Sequence, residues 1–494
     1  MGKVGHRKRI VPDRGMGMRT KQARGLLAAV AVVLAAMWAN APAHRSAATE
    51  PTTTVYLPNI TKMLGGPDGW QTPFIVQNVG TASADITMDF YGAGEGQFVK
   101  TRTVSGLAPR SSVVEDPNSD TDLGAGGAYS VVVRSFGSPI VALVNEHQNV
   151  RTPDRQEALS YGGISGGATR VLLPYVTKSA GGWLTTFIVQ NLGTGFATVT
   201  VQFRSFDGSR TSTLPLSMAP GRSQFVDLRV GLTLADGVEY SAVLTSDQPI
   251  GVVVNAHDDA PGTPQPRGFS YNGVPATTGQ DAFLPYLVRN VAGRSSRLII
   301  ENAGLTSATP AMSFSRLGIA EQFALQSFER LEPGAARSFD LGPETRFPDG
   351  EYSARVTGGQ FAVAIATTGP GSAMGYTAIG GAATTLYLPN VTRRLGGESG
   401  WSTPIYLQSI AARTASVSWY RFSDQVLVSK TIVSMPGPYA SVKIDPRETS
   451  ALADGTQYAV VVESDAGGIA AIVTELNFQG GDGAMQYEAF TLGR

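Results

Sequence analysis

The sequence predicts an all-β chain in which four antiparallel β-sandwich domains follow one another after an N-terminal export signal. Three observations lead to this fold class. One segment of the chain occurs four times with its landmarks in the same order, short apolar strands alternate with Gly- and Pro-rich turns, and the first residues have the layout of a signal peptide. Self-similarity at a fixed spacing indicates one structural unit per copy.

The recurring segment joins a Gly-Trp pair to a short apolar strand and an Asn-x-Gly turn. It begins at Gly69 and Gly182, returns in a less complete form at Gly400, and returns at Gly293 with Arg294 in place of the Trp. Three further landmarks keep the same order in every copy: a Leu-Pro pair, a Tyr in a late strand and a closing Tyr. Their positions are Pro58, Pro174, Pro285 and Pro389, then Tyr129, Tyr240, Tyr352 and Tyr458, then Tyr161, Tyr271, Tyr376 and Tyr487. The predicted domains are residues 54–166, 167–278, 279–382 and 383–494.

Each copy is expected to hold about eight strands and no long helix. In the second copy, apolar and polar residues alternate over 197–206, which is the period of a strand with one buried face. Asp207-Gly208 follows as a hairpin turn signal. Asn191 and Gly193 turn the chain after an apolar strand, because Asn tolerates the left-handed region and its side chain bonds nearby backbone. Strands separated by such turns indicate an antiparallel sandwich or barrel.

The order Leu-Pro, Gly-Trp-x-Thr and Val-Gln-Asn-x-Gly, followed by an alternating strand, resembles the tandem immunoglobulin-like repeats of exported bacterial cell-surface proteins. The first copy has this order at Leu57-Pro58 and at 69–80. The late Tyr240, after Asp236-Gly237, is similar to the tyrosine corner of that fold. The resemblance covers nearly all of 54–494 and implies tandem immunoglobulin-like antiparallel β-sandwich domains on a bacterial surface. It implies no molecular function, because this fold hosts many roles.

The N-terminus has an uneven charge distribution. Residues 1–43 contain eight Lys or Arg and one Asp, and their basic lead is followed by an apolar run from Leu26 to Ala39 and by the small residues Ala41-Pro42-Ala43. This is the three-part layout of a secretory signal peptide, with an uncleaved membrane anchor as the alternative. We therefore expect 1–43 to be removed and 44–53 to be a linker. The mature chain is expected to be secreted or at the extracellular cell surface, with no membrane span.

The composition of the mature chain excludes some classes of partner and chemistry. Beyond residue 43 the formal net charge is −7, with no basic stripe, which argues against nucleic acid as a partner. The chain has no Cys, so the domains depend on apolar cores rather than disulfides. It also has no phosphate-binding loop and no His-Glu-x-x-His motif. We therefore expect a non-enzymatic protein.

Five residues are candidates for ligand binding. Trp70, Trp183 and Trp401 stand at the same position, just before an apolar strand, and each could cover the end of a core or offer a face for a sugar ring. His147 and His257 also occupy equivalent positions in two copies. A strand that runs out into a polar loop explains the two histidines better than a metal site does, because lone His positions seldom have enough ligands.

A second candidate site is a calcium loop. Asp116, Asn118, Asp120 and Asp122 alternate like the first half of such a loop, and their hard oxygen ligands suit this cation. The Gly and Glu that complete an EF-hand are absent, and Asp116 recurs at a strand end in the other copies, which favours a structural role. No cofactor is expected apart from this candidate calcium ion.

These patterns predict a secreted or cell-surface structural or adhesive protein whose partners are cell-surface or extracellular matrix components. The alternative is a carbohydrate-binding protein that uses the three Trp residues as stacking platforms. Exposed Trp faces would favour the alternative, whereas buried ones would favour a structural role. Short connections between copies predict an elongated line of domains. The competing arrangement is a closed one in which the first and fourth copies meet, because both share a Leu-Pro-Asn opening at Asn59 and Asn390.

Overall fold

The computed structural model describes residues 52–93, 96–148, 156–258, 266–276, 281–325, 328–477, 479 and 481–492. The predicted signal peptide and most of the predicted linker lie outside these residues. The described residues form β-strands, connected by turns and by one 3-10 turn at Pro446–Glu448, and include no α-helix. The prediction of an all-β chain is therefore confirmed. The four sequence copies are called repeats 1 to 4 below.

Repeats 1 and 3 show the sheet order most simply. The strands of repeat 1 are β1 (Thr53–Lys62), β2 (Trp70–Gln71), β3 (Phe74–Asn78), β4 (Ala84–Gly92), β5 (Phe98–Leu107), β6 (Ser112–Glu115), β7 (Gly127–Phe136), β8 (Ile140–Gln148) and β9 (Ala158–Gly162). They form one sheet in the order β1-β7-β4-β5 and a second in the order β2-β8-β3-β6, with β9 paired to β8. All pairs are antiparallel.

The same order returns in the later repeats. The strands of repeat 2 are β10 (Ala168–Ala180), β11 (Trp183–Asn191), β12 (Ala197–Ser205), β13 (Thr211–Met218), β14 (Ser223–Asp227), β15 (Val238–Asp258), β16 (Arg267–Asn272) and β17 (Val274–Pro275). The strands of repeat 3 are β18 (Ala282–Arg289), β19 (Ser295–Asn302), β20 (Ala311–Arg316), β21 (Gln322–Leu325), β22 (Ala336–Asp340), β23 (Gly350–Thr357), β24 (Phe361–Gly369) and β25 (Ser372–Thr377). The strands of repeat 4 are β26 (Thr385–Arg393), β27 (Ile405–Ser409), β28 (Thr414–Arg421), β29 (Leu427–Ser434), β30 (Ser441–Ile444), β31 (Thr456–Ser464), β32 (Ile469–Leu476) and β33 (Ala484–Glu488).

Repeats 3 and 4 each have two four-stranded sheets, whereas in repeat 2 the long β15 runs through both sheets and joins them. In each repeat the first strand pairs with the late Tyr strand, as β1 does with β7. An immunoglobulin constant domain instead places its first strand beside its second, in one sheet of four strands and one of three. The chain thus has the antiparallel sandwich architecture, with a strand order of its own.

Each repeat buries one main apolar core between its two sheets. In repeat 1, Leu57 and Val131 of one sheet pack with Phe74 and Val144 of the other. In repeat 4 the core includes Trp419, which is fully buried. Because the chain has no Cys, burial of apolar side chains in these cores stabilises the fold without disulfides.

The Leu-Pro pair and the closing Tyr prove to be hydrogen-bond partners. The register of β1 against β7 shifts between Leu57 and Ile60, which is a β-bulge after the proline. The Tyr161 hydroxyl donates to the backbone carbonyl of Asn59 at 2.8 Å and accepts from the backbone amide of Asn59 at 3.2 Å. The same bulge is held in the other repeats by the pairs Tyr271–Tyr175, Tyr376–Tyr286 and Tyr487–Asn390. The two landmarks recur together because the hydroxyl of each closing Tyr bonds the backbone of the bulge after the proline.

The predicted Asn-x-Gly turn and tyrosine corner are both present. The Asn78 amide donates to the carbonyls of Ala82 and Leu107, and its oxygen accepts from the Gly80 amide. Asn191 and Asn302 repeat these bonds. Each late Tyr bonds backbone four or five residues upstream, as pairs Tyr129–Gly124, Tyr240–Ala235, Tyr352–Pro348 and Tyr458–Ala453.

The four closing strands pack side by side and close a ring. Strand β9 packs on β16, β16 on β25, β25 on β33, and β33 on β9 again. Repeats 1 and 4 therefore meet, and residues 51–494 form one compact unit. The expectation of an elongated line of domains is wrong. Small residues along these strands, such as Ser160, Gly268 and Gly375, let the backbones approach closely enough for the ring to form.

Each repeat contacts the next through the same two surfaces. The residue after the late Tyr donates from its hydroxyl to a turn of the following repeat, in the pairs Ser130–Gly221, Ser241–Gly334 and Ser353–Tyr439. At the fourth interface, the Arg110 guanidinium of repeat 1 lies 5.6 Å from the ring centre of Tyr387 in repeat 4. Head-to-tail contacts of this kind generate closed rings when the rotation closes. The interfaces are called 1/2, 2/3, 3/4 and 4/1 below.

Candidate ligand-binding cleft between the repeats

The three candidate Trp residues are partly exposed and lie close to the interfaces, and Trp183 also packs against the edge of the repeat 2 core. Trp70 of repeat 1 meets the His257 ring of repeat 2 edge-on, with 5.3 Å between ring centres. Trp183 lines a cleft between repeats 2 and 3, and Trp401 lines one between repeats 4 and 1. The Trp positions are therefore neither buried core nor free surface.

The 4/1 cleft has a volume of about 330 Å³ and is open on one side. Repeat 4 contributes Trp401 and Glu475 to its walls, and repeat 1 contributes Asn145, His147 and Glu157. Two of the candidate site residues, Trp401 and His147, thus come together from opposite ends of the chain. The closed ring makes this possible, since it brings repeat 4 against repeat 1.

A buried carboxyl group bridges the two repeats in this cleft. Glu475 is 1% exposed, and its Oε1 accepts from the Asn390 amide at 2.7 Å. Its Oε2 accepts from the Asn145 amide across the interface at 3.2 Å. We call Glu475, Asn390 and Asn145 the bridging trio. The trio fixes the two amide groups beside Trp401.

The 1/2 interface contains an equivalent set of bonds. Glu146 is 2% exposed, and its Oε2 accepts from the side-chain amide of Asn59 at 3.0 Å and from that of Asn255 in repeat 2 at 2.8 Å. Nearby, Nδ1 of His257 lies 2.8 Å from Oε2 of Glu157. The two His candidates therefore occupy different surroundings, because His147 faces the 4/1 cleft and His257 pairs with a carboxylate against Trp70.

Burial governs the protonation of these groups. Loss of hydration raises the pKa of Glu475 to about 8, although its bonds from Asn390 and Asn145 oppose the shift. Burial likewise raises the pKa of Glu146 to about 7, against the hydrogen bond from Asn59, the charge of His257 and the hydrogen bond from Asn255. Burial lowers the pKa of His147. In the wall of the 4/1 cleft, Glu475 therefore keeps its proton to a higher pH than a free carboxyl group does, and His147 loses its proton at a lower pH than a free imidazole does.

The 2/3 cleft differs in chemistry. It has a volume of about 320 Å³ and contains Trp183 and Tyr175 with Arg297. Arg297 pairs with Glu239, and its guanidinium lies 5.8 Å from the centre of the Tyr175 ring. Another guanidinium, that of Arg267, lies 5.6 Å from the centre of the Trp183 ring. Cationic groups therefore already contact the aromatic rings of this cleft.

At the 3/4 interface an aromatic stack occupies the equivalent place. Tyr286 of repeat 3 and Tyr406 of repeat 4 stack with 3.9 Å between ring centres, and both hydroxyls donate to Oε1 of Glu351. Repeat 3 also carries Arg294 instead of a Trp. The 4/1 interface thus combines an open cleft, a Trp and a bridging trio.

The four residues of the candidate calcium loop are engaged by protein groups. Lys100 Nζ donates to Asp120 and to Asp122, each at 2.7 Å. Asp116 Oδ1 accepts from the backbone amide of Asn118 at 2.9 Å, and the side-chain amide of Asn118 donates to Gln71. Within the described ranges, no group of three or more His, Asp or Glu side chains is arranged to hold a metal ion. The calcium site stays a prediction.

The bridging trio and its equivalent were not among the residues predicted from the sequence. The signal was present, because Glu146 and Glu475 occupy the same place in their repeats, as do Asn59 and Asn390. The sequence also contains a Gly-x-Ser-x-Gly spacing at 163–167. That segment connects β9 to β10 without a helix, so it lacks the strand-to-helix turn of a nucleophile elbow.

Comparisons with known proteins assign no family. No protein-family model matches the chain, and no curated protein matches it. A solved structure described as "Crystal Structure of Thermotoga maritima 1070" is similar over 22% of this chain and 95% of the solved chain, with 18% sequence identity and a TM-score of 0.20. A likeness of this extent carries no argument about function. Separately, no helix in the described part of the chain has the length and apolarity needed to cross a membrane.

Proposed function

We propose that this protein is a non-enzymatic, exported carbohydrate-binding protein whose binding site is the 4/1 cleft. The observation that carries the proposal is the position of Trp401 beside the bridging trio in one open cleft. Ligand sites combine an apolar surface with a few fixed polar groups, typically in a volume of about 300–1,000 Å³. The 4/1 cleft meets this description.

The chemistry of the cleft suits a ligand with many hydroxyl groups. A sugar ring has an apolar C–H face, which an indole can cover, and hydroxyls that donate and accept hydrogen bonds. Beside the bridging trio, the wall of the cleft also carries the polar side chains of Thr392, Thr403 and Asn477, which can donate and accept hydrogen bonds.

The sequence supports the rest of the proposal. The N-terminal layout at 1–43 favours export, and the repeats favour four immunoglobulin-like β-sandwich domains with their own strand order. On this basis the mature protein is secreted or lies at the extracellular surface of a bacterial cell.

A second candidate function is structural or adhesive, with cell-surface or matrix components as partners. The closed ring favours it, because contacts between all successive repeats make a stiff scaffold. Under this alternative the Trp residues and the bridging trio only hold the repeats together.

Binding of the mature protein to a panel of immobilised mono- and oligosaccharides, followed by calorimetry, tests the first proposal. Trp401→Ala is expected to weaken binding about 30-fold, as loss of a hot-spot aromatic costs roughly 2 kcal/mol. Trp183→Ala in the 2/3 cleft is the matched control and should leave binding unchanged. Absence of binding by the wild-type protein, or equal binding by the Trp401→Ala variant, would favour the structural alternative.

A further inference from the structure

The closing strands end around the axis of the ring with four different residues. The position after the closing Tyr holds Gly162, Asn272, Thr377 and Glu488, one from each repeat. The Asn272 amide donates to the Gly162 carbonyl at 2.9 Å. The Thr377 amide and hydroxyl both donate to Oε1 of Glu488, at 2.5 and 2.7 Å. We call these four residues the polar layer.

A chamber of about 450 Å³ lies next to the polar layer, and we call it the axial chamber. Its next layer has only small residues, at Gly163, Gly273, Ala378 and Ala489. The layer after that is apolar, at Ile164, Val274, Ile379 and Phe490. Each apolar residue pairs through its backbone with the opening strand of its own repeat, which holds the wall in place. The small residues leave the space open.

Glu488 is the single ionisable side chain among the residues that line the axial chamber. Its known partner is Thr377, which bonds one carboxyl oxygen, and no Lys or Arg of the described ranges forms an ion pair with it. Burial raises the pKa of this carboxyl group. Glu488 is partly buried, and a carboxylate removed from water without a counter-ion is costly, so a bound cation would offset that cost.

We propose that the axial chamber binds a small organic amine with an apolar body. The ammonium group would bond Glu488 in the polar layer, and the body would pack on the wall formed by Ile164, Val274, Ile379 and Phe490. The volume lies within the range of small-molecule sites. The lining of the chamber contains no Trp and shares no residue with the 4/1 cleft. The two sites are therefore independent.

The test compares n-hexylamine with n-hexanol, two probes of equal length, by calorimetry on the mature chain at pH 7. The wild-type protein is expected to bind the amine about tenfold or more tightly than the alcohol, since charged hydrogen bonds exceed neutral ones by that margin. Glu488→Gln keeps the side-chain shape and removes the charge, so the preference should disappear. Glu475→Gln in the 4/1 cleft is the matched control and should keep it.

A second variant tests the position of the site. Thr491 lies at the partly exposed rim of the axial chamber, and Thr491→Trp should prevent binding of both probes. The proposal is overturned if the wild-type protein binds neither probe, binds both equally, or keeps its preference in the Glu488→Gln variant. Unchanged binding by the Thr491→Trp variant also overturns it. The comparison of amine and alcohol in the wild-type protein decides alone if a variant does not fold.

Discussion

Asp482 is the residue whose removal should weaken the ring most directly. It belongs to repeat 4 and is 3% exposed. Its Oδ2 accepts from the Gly268 amide of repeat 2 at 2.6 Å, and its Oδ1 accepts from the Ala373 amide of repeat 3 at 2.9 Å. Its own amide donates to the Gln156 carbonyl of repeat 1 at 2.7 Å. One residue thus connects repeat 4 to all three other repeats.

Asp482→Ala would leave the buried backbone amides of Gly268 and Ala373 without their acceptor. Each unpaired buried group costs about 1–3 kcal/mol, so the free energy of unfolding should fall by about 2–6 kcal/mol. Burial raises the pKa of Asp482 well above its usual range, because the charged form loses its hydration in the interior at a cost in free energy. Its removal relieves that cost, so we expect a value in the lower half of the range.

Urea unfolding of the mature chain, followed by Trp fluorescence, measures this loss. Asp424→Ala is the matched control, because Asp424 is an exposed aspartate of the same repeat that pairs with Arg421. That variant should lose at most about 1 kcal/mol. Equal midpoints for the Asp482→Ala variant and the wild-type protein would refute the argument that the carboxylate holds the closing strands together.

Three further outcomes are expected. The free energy of unfolding should fall as pH rises from 5 to 8. Glu146 and Glu475 have folded pKa values of about 7 and 8 against a usual 4.5, so over this range the folded state holds protons that the unfolded state has already lost. The Glu146→Gln/Glu475→Gln variant should show a flatter slope in urea titrations. Tyr161→Phe should cost about 1–3 kcal/mol in the same assay, because the bulge at Asn59 loses its partner, and a change below about 0.5 kcal/mol would contradict this. N-terminal sequencing of exported protein should begin near His44, and a product that still carries Arg24 would contradict cleavage.

The sequence was sufficient to predict those features that depend on local interactions. The Asn78 turn and the Tyr129 corner bond backbone within a few residues of themselves, so their patterns recur as recognisable strings. The pairing of strands followed from alternation and turn residues. The strand order did not, because the pairing of β1 with β7 joins segments far apart in the chain.

The ring and the site were harder to predict for the same reason. The closing strands carry Gly, Ala and Ser, which are common in any sheet and do not indicate a neighbour. Trp401 and His147 were identified as candidates, yet only ring closure brings them into one cleft. The role of Trp401 was posed as a choice between core and platform, whereas an interface position is a third possibility that composition alone does not reveal.

Placing all four repeats on one chain removes a restriction that a ring of identical subunits would have. In such a homotetramer, every substitution at an interface would appear four times. Here Tyr286 and Tyr406 can fill the 3/4 interface while the 4/1 cleft stays open beside Trp401. A substitution in one repeat can therefore change one interface and leave the other three as they are. The 4/1 interface is also the one not spanned by a peptide connection, so the residues of the proposed binding site would also hold the two ends of the chain together.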